Sequence, residues 1–168
     1  MKRPIGIELI GECLTVLRET LLAVNPNEGC ALLLGNLKKS TSLPAEYILQ
    51  LQMIWPCCNV WGSEIINFLE SPEEPNSVLQ KDNSKKNRFA IDPREQLQAQ
   101  HWAREHNWEV VGSAHSHPTG DPIPSSIDRN LNFSPGLMLI IGQFGEVRAW
   151  WMGGDETFPP IEVAIWKT

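Results

Sequence analysis

Three side chains that commonly bind metal ions lie within fourteen residues of this chain: His115, His117 and Asp128. The apolar and small residues at 110–114, just before the histidines, are typical of the end of a buried strand. Because side chains two positions apart on a strand point to the same face, both imidazoles are expected to aim at one point. Two neutral imidazoles and one carboxylate make three protein ligands, the number found at a catalytic zinc that keeps its fourth position for water. The spacing therefore predicts a metal site.

The segment between the histidines and the aspartate also has a recognisable pattern. Three prolines and a glycine at 118–124 exclude regular structure and make a stiff loop. Ser125 then begins a short helix, with Asp128 one turn along on the same side. Two simpler interpretations exist, since a single histidine is usually a surface or packing residue and Ser-x-x-Asp is also an ordinary helix start resembling a capping box. The residues in this order are much less expected by chance, which favours the metal site.

These motifs resemble those of a known family. HSHP (115–118) followed by SSID (125–128) is similar to the JAMM motif of the MPN-domain (Mov34/MPN/PAD-1) zinc metalloproteases. That family also has an upstream strand of the form Glu-x-Cys-Gly-x-Leu-x-Gly, and this chain has EGCALLLG at 28–35, departing only at Ala31. Further matches are Pro56, Asn59 and FAIDP at 89–93. The resemblance extends from about Ile7 to the end of the sequence.

The resemblance implies a fold and a set of roles. The fold is α/β, a single mixed β-sheet flanked by helices in a three-layer arrangement like that of cytidine deaminase. One Zn²⁺ per chain would be bound by His115, His117 and Asp128, with Glu28 as the general base and Ser125 as a donor to the oxyanion. The residues alone leave Glu28 open to a simpler interpretation, as the polar first residue of a strand. Asp121 matches no ligand of the family, and the Ser116 side chain is expected to face the sheet interior.

The resemblance also implies a substrate class. Family members hydrolyse the peptide or isopeptide bond after the C-terminal Gly-Gly of ubiquitin or ubiquitin-like proteins. Only residues 129–136 separate the motif helix from the next predicted strand, so the long insertion of the eukaryotic members is absent and the chain is similar to compact prokaryotic JAB proteins. The expected partner is a ubiquitin-like or sulfur-carrier protein with a Gly-Gly tail. The alternative is a catalytically silent MPN scaffold that mediates protein–protein interaction.

Composition limits the other functional classes. The 168 residues predict a single domain (1–168) with a polar insertion at 71–87. A net charge of −6 without a basic cluster argues against nucleic-acid partners, and no apolar run is long enough to span a membrane. The four cysteines have no C-x-x-C spacing, and the first residues lack a signal-peptide pattern, so a cytoplasmic protein with reduced thiols is expected. The sequence leaves the oligomeric state open.

Periodicity predicts the elements that position the site. A helical stripe predicts a first helix over about 7–24, and Asp92-Pro93 is a strong start for a second helix that reaches about residue 107, with Leu97 and Trp102 inward. His101 and His106 on this helix are interpreted as surface or packing residues. Strands are predicted at 28–34, 47–54, 89–91, 108–116, 137–142, 147–152 and 161–166, and in the second of these Leu49, Leu51 and Met53 should share a face.

Overall fold

A computed structural model describes residues 2–40, 46–62, 84–132, 134–153 and 157–167 of the chain. It contains three helices, α1 (Cys13–Leu22), α2 (Pro93–Glu105) and α3 (Ser126–Asn130). The seven strands are β1 (Gly6–Leu9), β2 (Cys30–Lys39), β3 (Tyr47–Cys57), β4 (Glu109–Ser116), β5 (Gly136–Ile141), β6 (Val147–Met152) and β7 (Ile161–Lys167). Most of the predicted insertion at 71–87 lies outside the described residues.

The strands form one mixed sheet in the order β1-β3-β2-β4-β5-β6-β7. β1 pairs in parallel with both β3 and β7, which closes the sheet into a barrel. β4 and β5 are also parallel, and the remaining neighbours are antiparallel. With helices packed on this sheet, the predicted α/β class is confirmed, while the closure is a feature that the sequence did not predict.

The two longer helices cover opposite faces of the sheet. The inner face packs on α1 through Leu17 and Leu21, in the largest cluster of buried apolar residues, together with alternate residues of β2 such as Leu33. On the outer face, Ala99, Ala103 and the partly buried Trp102 of α2 pack against the sheet. Their partners on β2 include Leu32 and Leu34. Because β2 contributes alternate residues to both clusters, it is buried on both sides, as expected for a central strand.

The first predicted helix proved too long at its N-terminal end. Ile7 and Leu9 are buried in β1, and Gly11, with a φ of 57°, makes the turn that separates this strand from α1. The apolar stripe did not resolve this boundary, since a buried strand and a buried helical turn both present apolar residues at short spacing. The second helix begins as predicted, with Asp92 as the N-cap accepting from the backbone N–H of Arg94. Leu97 is exposed on it rather than inward.

Two β-bulges lie side by side next to Leu34 of β2. On β3, Leu34 pairs with Met53 and Gly35 with Leu51, so Gln52 is an extra residue. On β4, Leu33 pairs with Gly112 and Leu34 with Val110, so Val111 is an extra residue.

Each bulge reverses the side-chain alternation beyond it and bends the strand. The prediction for β3 was therefore wrong at Met53, which packs on the α2 face while Leu49 and Leu51 face α1.

Segment 89–91 also differs from its prediction as a strand. It forms a single antiparallel bridge, between Ile91 and Asn59, and no ladder with any strand of the described residues. No helix in the described part of the chain is both long and apolar enough to cross a bilayer.

Candidate metal centre

His115, His117 and Asp128 meet at one point, with one ligand atom from each lying within 4.8 Å of the others. The two Nε2 atoms are 2.9 Å apart. The Asp128 carboxylate lies 3.4 Å from His115 Nε2 through Oδ1 and 3.6 Å from His117 Nε2 through Oδ2. Within the described residues, this is the one group of three or more potential metal ligands.

These separations can be compared with those around a tetrahedral metal ion. Zinc–nitrogen and zinc–oxygen bonds of about 2.0–2.1 Å imply ligand atoms about 3.3 Å apart in a tetrahedron. The Nε2–Nε2 distance of 2.9 Å is near that value, and each imidazole has an Asp128 oxygen at 3.4 or 3.6 Å, although the two contacts use different oxygens. Three donors leave one corner open, so the geometry fits the hydrolytic rather than the structural class of zinc site.

The bulge at Val111 decides which face of β4 carries the histidines. Val110, before the bulge, packs on the α2 face, whereas Ala114, beyond it, belongs to the α1 core. His115 and His117 therefore point to the outer face, which α2 only partly covers. Ser116 points inward as predicted, where its hydroxyl donates to the Leu21 carbonyl at the end of α1.

Glu28 reaches the same face from the neighbouring strand. Cys30 is the antiparallel partner of His115, and the Ser116 N–H donates to the Gly29 carbonyl at 3.1 Å. This register places Glu28 opposite His117, on the same face of the sheet. The intervening Gly29 is required, because a Cβ there would lie 2.5 Å from the Leu21 carbonyl oxygen. The close approach of Gly29 to the end of α1 therefore fixes the backbone next to Glu28.

Glu28 is 5% exposed, and the environment of its carboxyl group favours the protonated form. Burial raises the pKa of Glu28 to about 8, and the negative charge of Asp128 adds to this rise, while His117 and Arg88 oppose it. A carboxyl group with a pKa near neutrality is suited to taking up and releasing a proton at working pH.

The ring of His117 is oriented by a backbone group. Its Nδ1 lies 2.7 Å from the Asp121 carbonyl oxygen, and because a carbonyl can only accept, Nδ1 is the protonated nitrogen. The lone pair of Nε2 is then directed at the cluster. The His115 ring is held differently, by stacking on Phe89 at 4.5 Å between centroids, and its buried Nδ1 has no hydrogen-bond partner in the described structure.

The loop that carries Asp121 is anchored to the β5–β6 hairpin. The Trp150 indole N–H donates to the Pro122 carbonyl at 2.8 Å, and the Gln143 N–H donates to the Gly120 carbonyl at 3.0 Å. The His117 N–H donates to the Ile141 carbonyl. These contacts were missed by sequence reasoning, since most use backbone atoms that no residue pattern reveals.

The role of Asn59 was also missed by sequence reasoning, although the family resemblance included this residue. Its side-chain N–H₂ donates to the carbonyl oxygens of both Glu28 and Arg88, at 2.9 Å each. Its oxygen accepts from the N–H groups of Trp61 and Ala90. Asn59 therefore joins the start of β2 to the segment that covers the histidines.

Asp128 belongs to a capping box at the start of α3. Ser125 Oγ accepts from the Asp128 N–H at 3.2 Å, and the Ser125 N–H donates to Asp128 Oδ2 at 2.7 Å. Burial by itself would raise the pKa of Asp128, but His115, His117 and Ser125 outweigh it and hold that pKa far below its ordinary value. The carboxylate is therefore ionised and oriented as a ligand must be.

The other histidines and the cysteines lie away from the cluster. His101 is exposed beside Glu105, and His106 stacks on Trp102 at 3.7 Å between centroids. All four cysteines are free, and Cys58 is exposed rather than buried. Burial raises the pKa of Cys57 to about 12, so this half-buried thiol is protonated and weakly reactive.

Comparison with known proteins agrees with this geometry. The family model for the prokaryotic homologs of the JAB domain matches residues 12–153 of this chain. The chain belongs to this family. Two curated relatives are both named desampylase, one from Pyrococcus furiosus and one from Haloferax volcanii. Each is 35% identical to this chain over 78 residues, which are 46% of its length. The matches span 56% and 55% of those relatives, so this JAB chain aligns with little more than half of each.

Two solved structures have a similar fold. A protein from Desulfitobacterium hafniense superposes with a TM-score of 0.68 at 23% identity, over 96% of this chain and 92% of that one. A Salinibacter ruber protein gives a TM-score of 0.53 at 18% identity, over 94% and 90% of the two chains. At these identities the likeness supports the fold alone.

Proposed function

We propose that this JAB-family chain is a zinc-dependent hydrolase of peptide or isopeptide bonds. His115, His117 and Asp128 would hold the ion, Glu28 would act as the general base, and Ser125 would donate to the oxyanion. The observation that carries the proposal is the placement of Glu28, a buried carboxyl group with a raised pKa, on the face of the sheet that bears the three-donor cluster.

The zinc and Glu28 have complementary tasks. When bound, zinc supplies Lewis acidity, which polarises a carbonyl group and lowers the pKa of water to about 7. Glu28 accepts a proton from the attacking water and delivers it to the leaving amine nitrogen, as a group with a pKa near neutrality does in both directions. Asp121 keeps His117 in the tautomer that leaves Nε2 unprotonated.

Ser125 is suited to stabilise the tetrahedral intermediate. Its cap interaction with the Asp128 N–H uses a lone pair of the hydroxyl, so the O–H is still a donor. Ser125 is also exposed, at the start of a helix that contributes a ligand. One donor of this kind is worth about 10²–10³ in turnover.

The proposed substrate is a ubiquitin-like or sulfur-carrier protein joined through its C-terminal Gly-Gly to a small adduct or to another protein. Two supports exist, the desampylase name of the curated relatives and the family resemblance of the motifs. Glycines lack side chains, so a Gly-Gly tail passes close to a metal bound between a strand end and a stiff loop.

Mass spectrometry tests this proposal directly. The zinc-loaded protein is incubated with a sulfur-carrier protein whose Gly-Gly terminus is extended by one amino acid, and the mass of that residue should be lost. Removal of zinc with a chelator, or the substitution Glu28→Gln, should abolish the loss. A chain that purifies without zinc and leaves the adduct intact would instead be the scaffold considered above.

A further inference from the structure

Arg88 is a partly buried cation that the proposed reaction has not yet used. Its Nε and Nη1 atoms are both buried and have no hydrogen-bond partner among the residues that the structure describes. Among the described residues, no carboxylate forms an ion pair with it, although charged groups in protein interiors are normally paired. An unpaired guanidinium in such a position is a candidate for binding an anion that the free protein lacks.

The position of Arg88 relates it to Glu28. Asn59 donates to the carbonyl oxygens of both residues, so their backbones lie on either side of one amide group. The positive charge of Arg88 acts on the Glu28 carboxyl group, and the next residue, Phe89, stacks on the ligand candidate His115. Arg88 is therefore on the Glu28 side of the metal centre.

The guanidinium also lies over an aromatic ring. Its central carbon lies 5.7 Å from the ring centroid of the buried Trp61, within the range of a cation–π interaction. The N–H groups of a guanidinium lie in one plane, a geometry that matches a planar two-oxygen acceptor. The acceptor that fits this arrangement best is a carboxylate.

We infer that Arg88 binds the α-carboxylate of the leaving group, and so selects adducts in which a single amino acid is attached to the Gly-Gly tail through its α-amine. The inference rests on the proposed function. Glu28 protonates the leaving amine, so that nitrogen must come close to Glu28, and an α-carboxylate is only two bonds further away. In an isopeptide, the lysine ε-amine carries no carboxylate near the scissile bond.

Two matched substrates test this selectivity. One is a sulfur-carrier protein ending in Gly-Gly-Ala with a free carboxylate, and the other is the same protein ending in the alanine amide. Binding to the zinc-loaded Glu28→Gln variant is measured, because this variant should not consume the substrate. The free acid should bind about 10- to 100-fold more tightly than the amide, the range expected when a charge-assisted interaction is lost.

Variants at position 88 assign the preference to this residue. Arg88→Gln, combined with Glu28→Gln, should bind both forms with the weaker affinity of the amide, and Arg88→Lys should keep part of the preference because it keeps the charge. The exposed Lys86 provides the matched control, and Lys86→Gln should leave the preference unchanged. Zinc content and thermal unfolding of each variant establish that it has folded.

The outcomes separate the two proposals. Equal binding of acid and amide, a preference that survives in Arg88→Gln, or no binding of either form overturns the role of Arg88. Hydrolysis by the wild-type protein in that case leaves the proposed function standing. A preference that depends on Arg88, in a protein that hydrolyses neither form, supports the carboxylate site and refutes the hydrolase.

Discussion

Ser125 and Asp128 bind each other in both directions: the Ser125 N–H donates to Asp128 Oδ2 at 2.7 Å, and the Asp128 N–H donates to Ser125 Oγ at 3.2 Å. The helix start and the candidate metal ligand are consequently one unit. Ser-x-x-Asp was interpreted either as an ordinary helix start or as part of a metal site, and both descriptions apply. The capping box that fixes the helix also orients the Asp128 carboxylate toward the histidines.

Ser125→Ala should therefore affect both stability and turnover. Loss of the N-cap oxygen should lower the free energy of unfolding by about 0.5–2 kcal/mol. Loss of the oxyanion donor should lower kcat by about 10²–10³ with little change in zinc content. Denaturant unfolding and steady-state kinetics measure the two effects, with Ser126→Ala as the control. A fall in stability without a fall in kcat would leave Ser125 with the structural role alone.

Asp128→Ala should remove the metal and the activity together. The substitution deletes one of three donors and leaves two imidazoles, which bind zinc weakly. Zinc is quantified per chain after dialysis, by atomic emission. Asp121→Ala is the matched control, because Asp121 contributes only its backbone carbonyl to the site and should retain stoichiometric zinc. Full zinc content in Asp128→Ala would contradict the ligand assignment.

Glu28→Gln should keep zinc and lower turnover by about 10²–10⁴, the contribution of a general base. It should also stabilise the metal-free protein at alkaline pH. Since the pKa of Glu28 is about 8 in the folded protein and 4.5 is its ordinary value, the folded state binds more protons between those pH values, and stability falls as pH rises.

Ionisation of Glu28 lowers the free energy of unfolding by at most about 5 kcal/mol. This bound follows because its pKa is raised from 4.5 to about 8 and one pKa unit corresponds to about 1.36 kcal/mol. Thermal unfolding of the metal-free wild type and Glu28→Gln at pH 5 and pH 9 measures it. The two proteins should differ more at pH 9. If the unfolding temperatures of the two proteins changed equally between pH 5 and pH 9, Glu28 would ionise in the folded state as it does in water.

Zinc affinity should fall as the pH is lowered, beginning above the ordinary histidine pKa. Burial would lower the pKa of His117, but Asp128 and the Asp121 carbonyl outweigh it and raise that pKa above 6.5. Zinc requires the unprotonated ring, so protons compete with it as the pH falls through this raised value. Competition with a chromophoric chelator from pH 5 to pH 9 follows the change, and a flat profile would exclude His117 as a ligand.

Trp150→Phe should weaken zinc binding by up to about tenfold, because the indole N–H holds the Pro122 carbonyl and thereby the loop that orients His117. The phenyl ring retains most of the apolar packing. Trp166→Phe, at a partly exposed position of β7, is the control and should not change the affinity. Identical affinities in the two variants would show that the loop keeps its shape without this hydrogen bond.

Sequence reasoning succeeded where the information is local. The shared face of His115 and His117 follows from strand periodicity, the Asp92 cap from a short motif, and the α/β class from alternating elements. It failed where the information is long-range or belongs to the backbone. The stripe of α1 concealed β1, the extra residue Gln52 reversed the faces of β3, and the Asp121 carbonyl acts through an atom common to all residues.

Glu28 occupies an intermediate position between these cases. The residue pattern alone favoured Glu28 as the polar first residue of a strand. Only the family resemblance related it to histidines almost ninety positions away. The register between β2 and β4 now places it opposite His117, and its catalytic role stays a prediction for the experiments above.

The bulge at Val111 makes the length of β4 as important as its composition. Deleting this one residue would make Val110 and Gly112 consecutive partners of Leu34 and Leu33, so His115 and His117 would keep their face. A residue inserted between Gly112 and His115 would instead turn both histidines into the apolar space beside α1 and bring Ser116 to the outer face. Such an insertion should thus be far more damaging to metal binding than either the deletion of Val111 or a conservative substitution in β4. Directed evolution of this chain would accordingly tolerate new side chains along β4 before it tolerated an added residue.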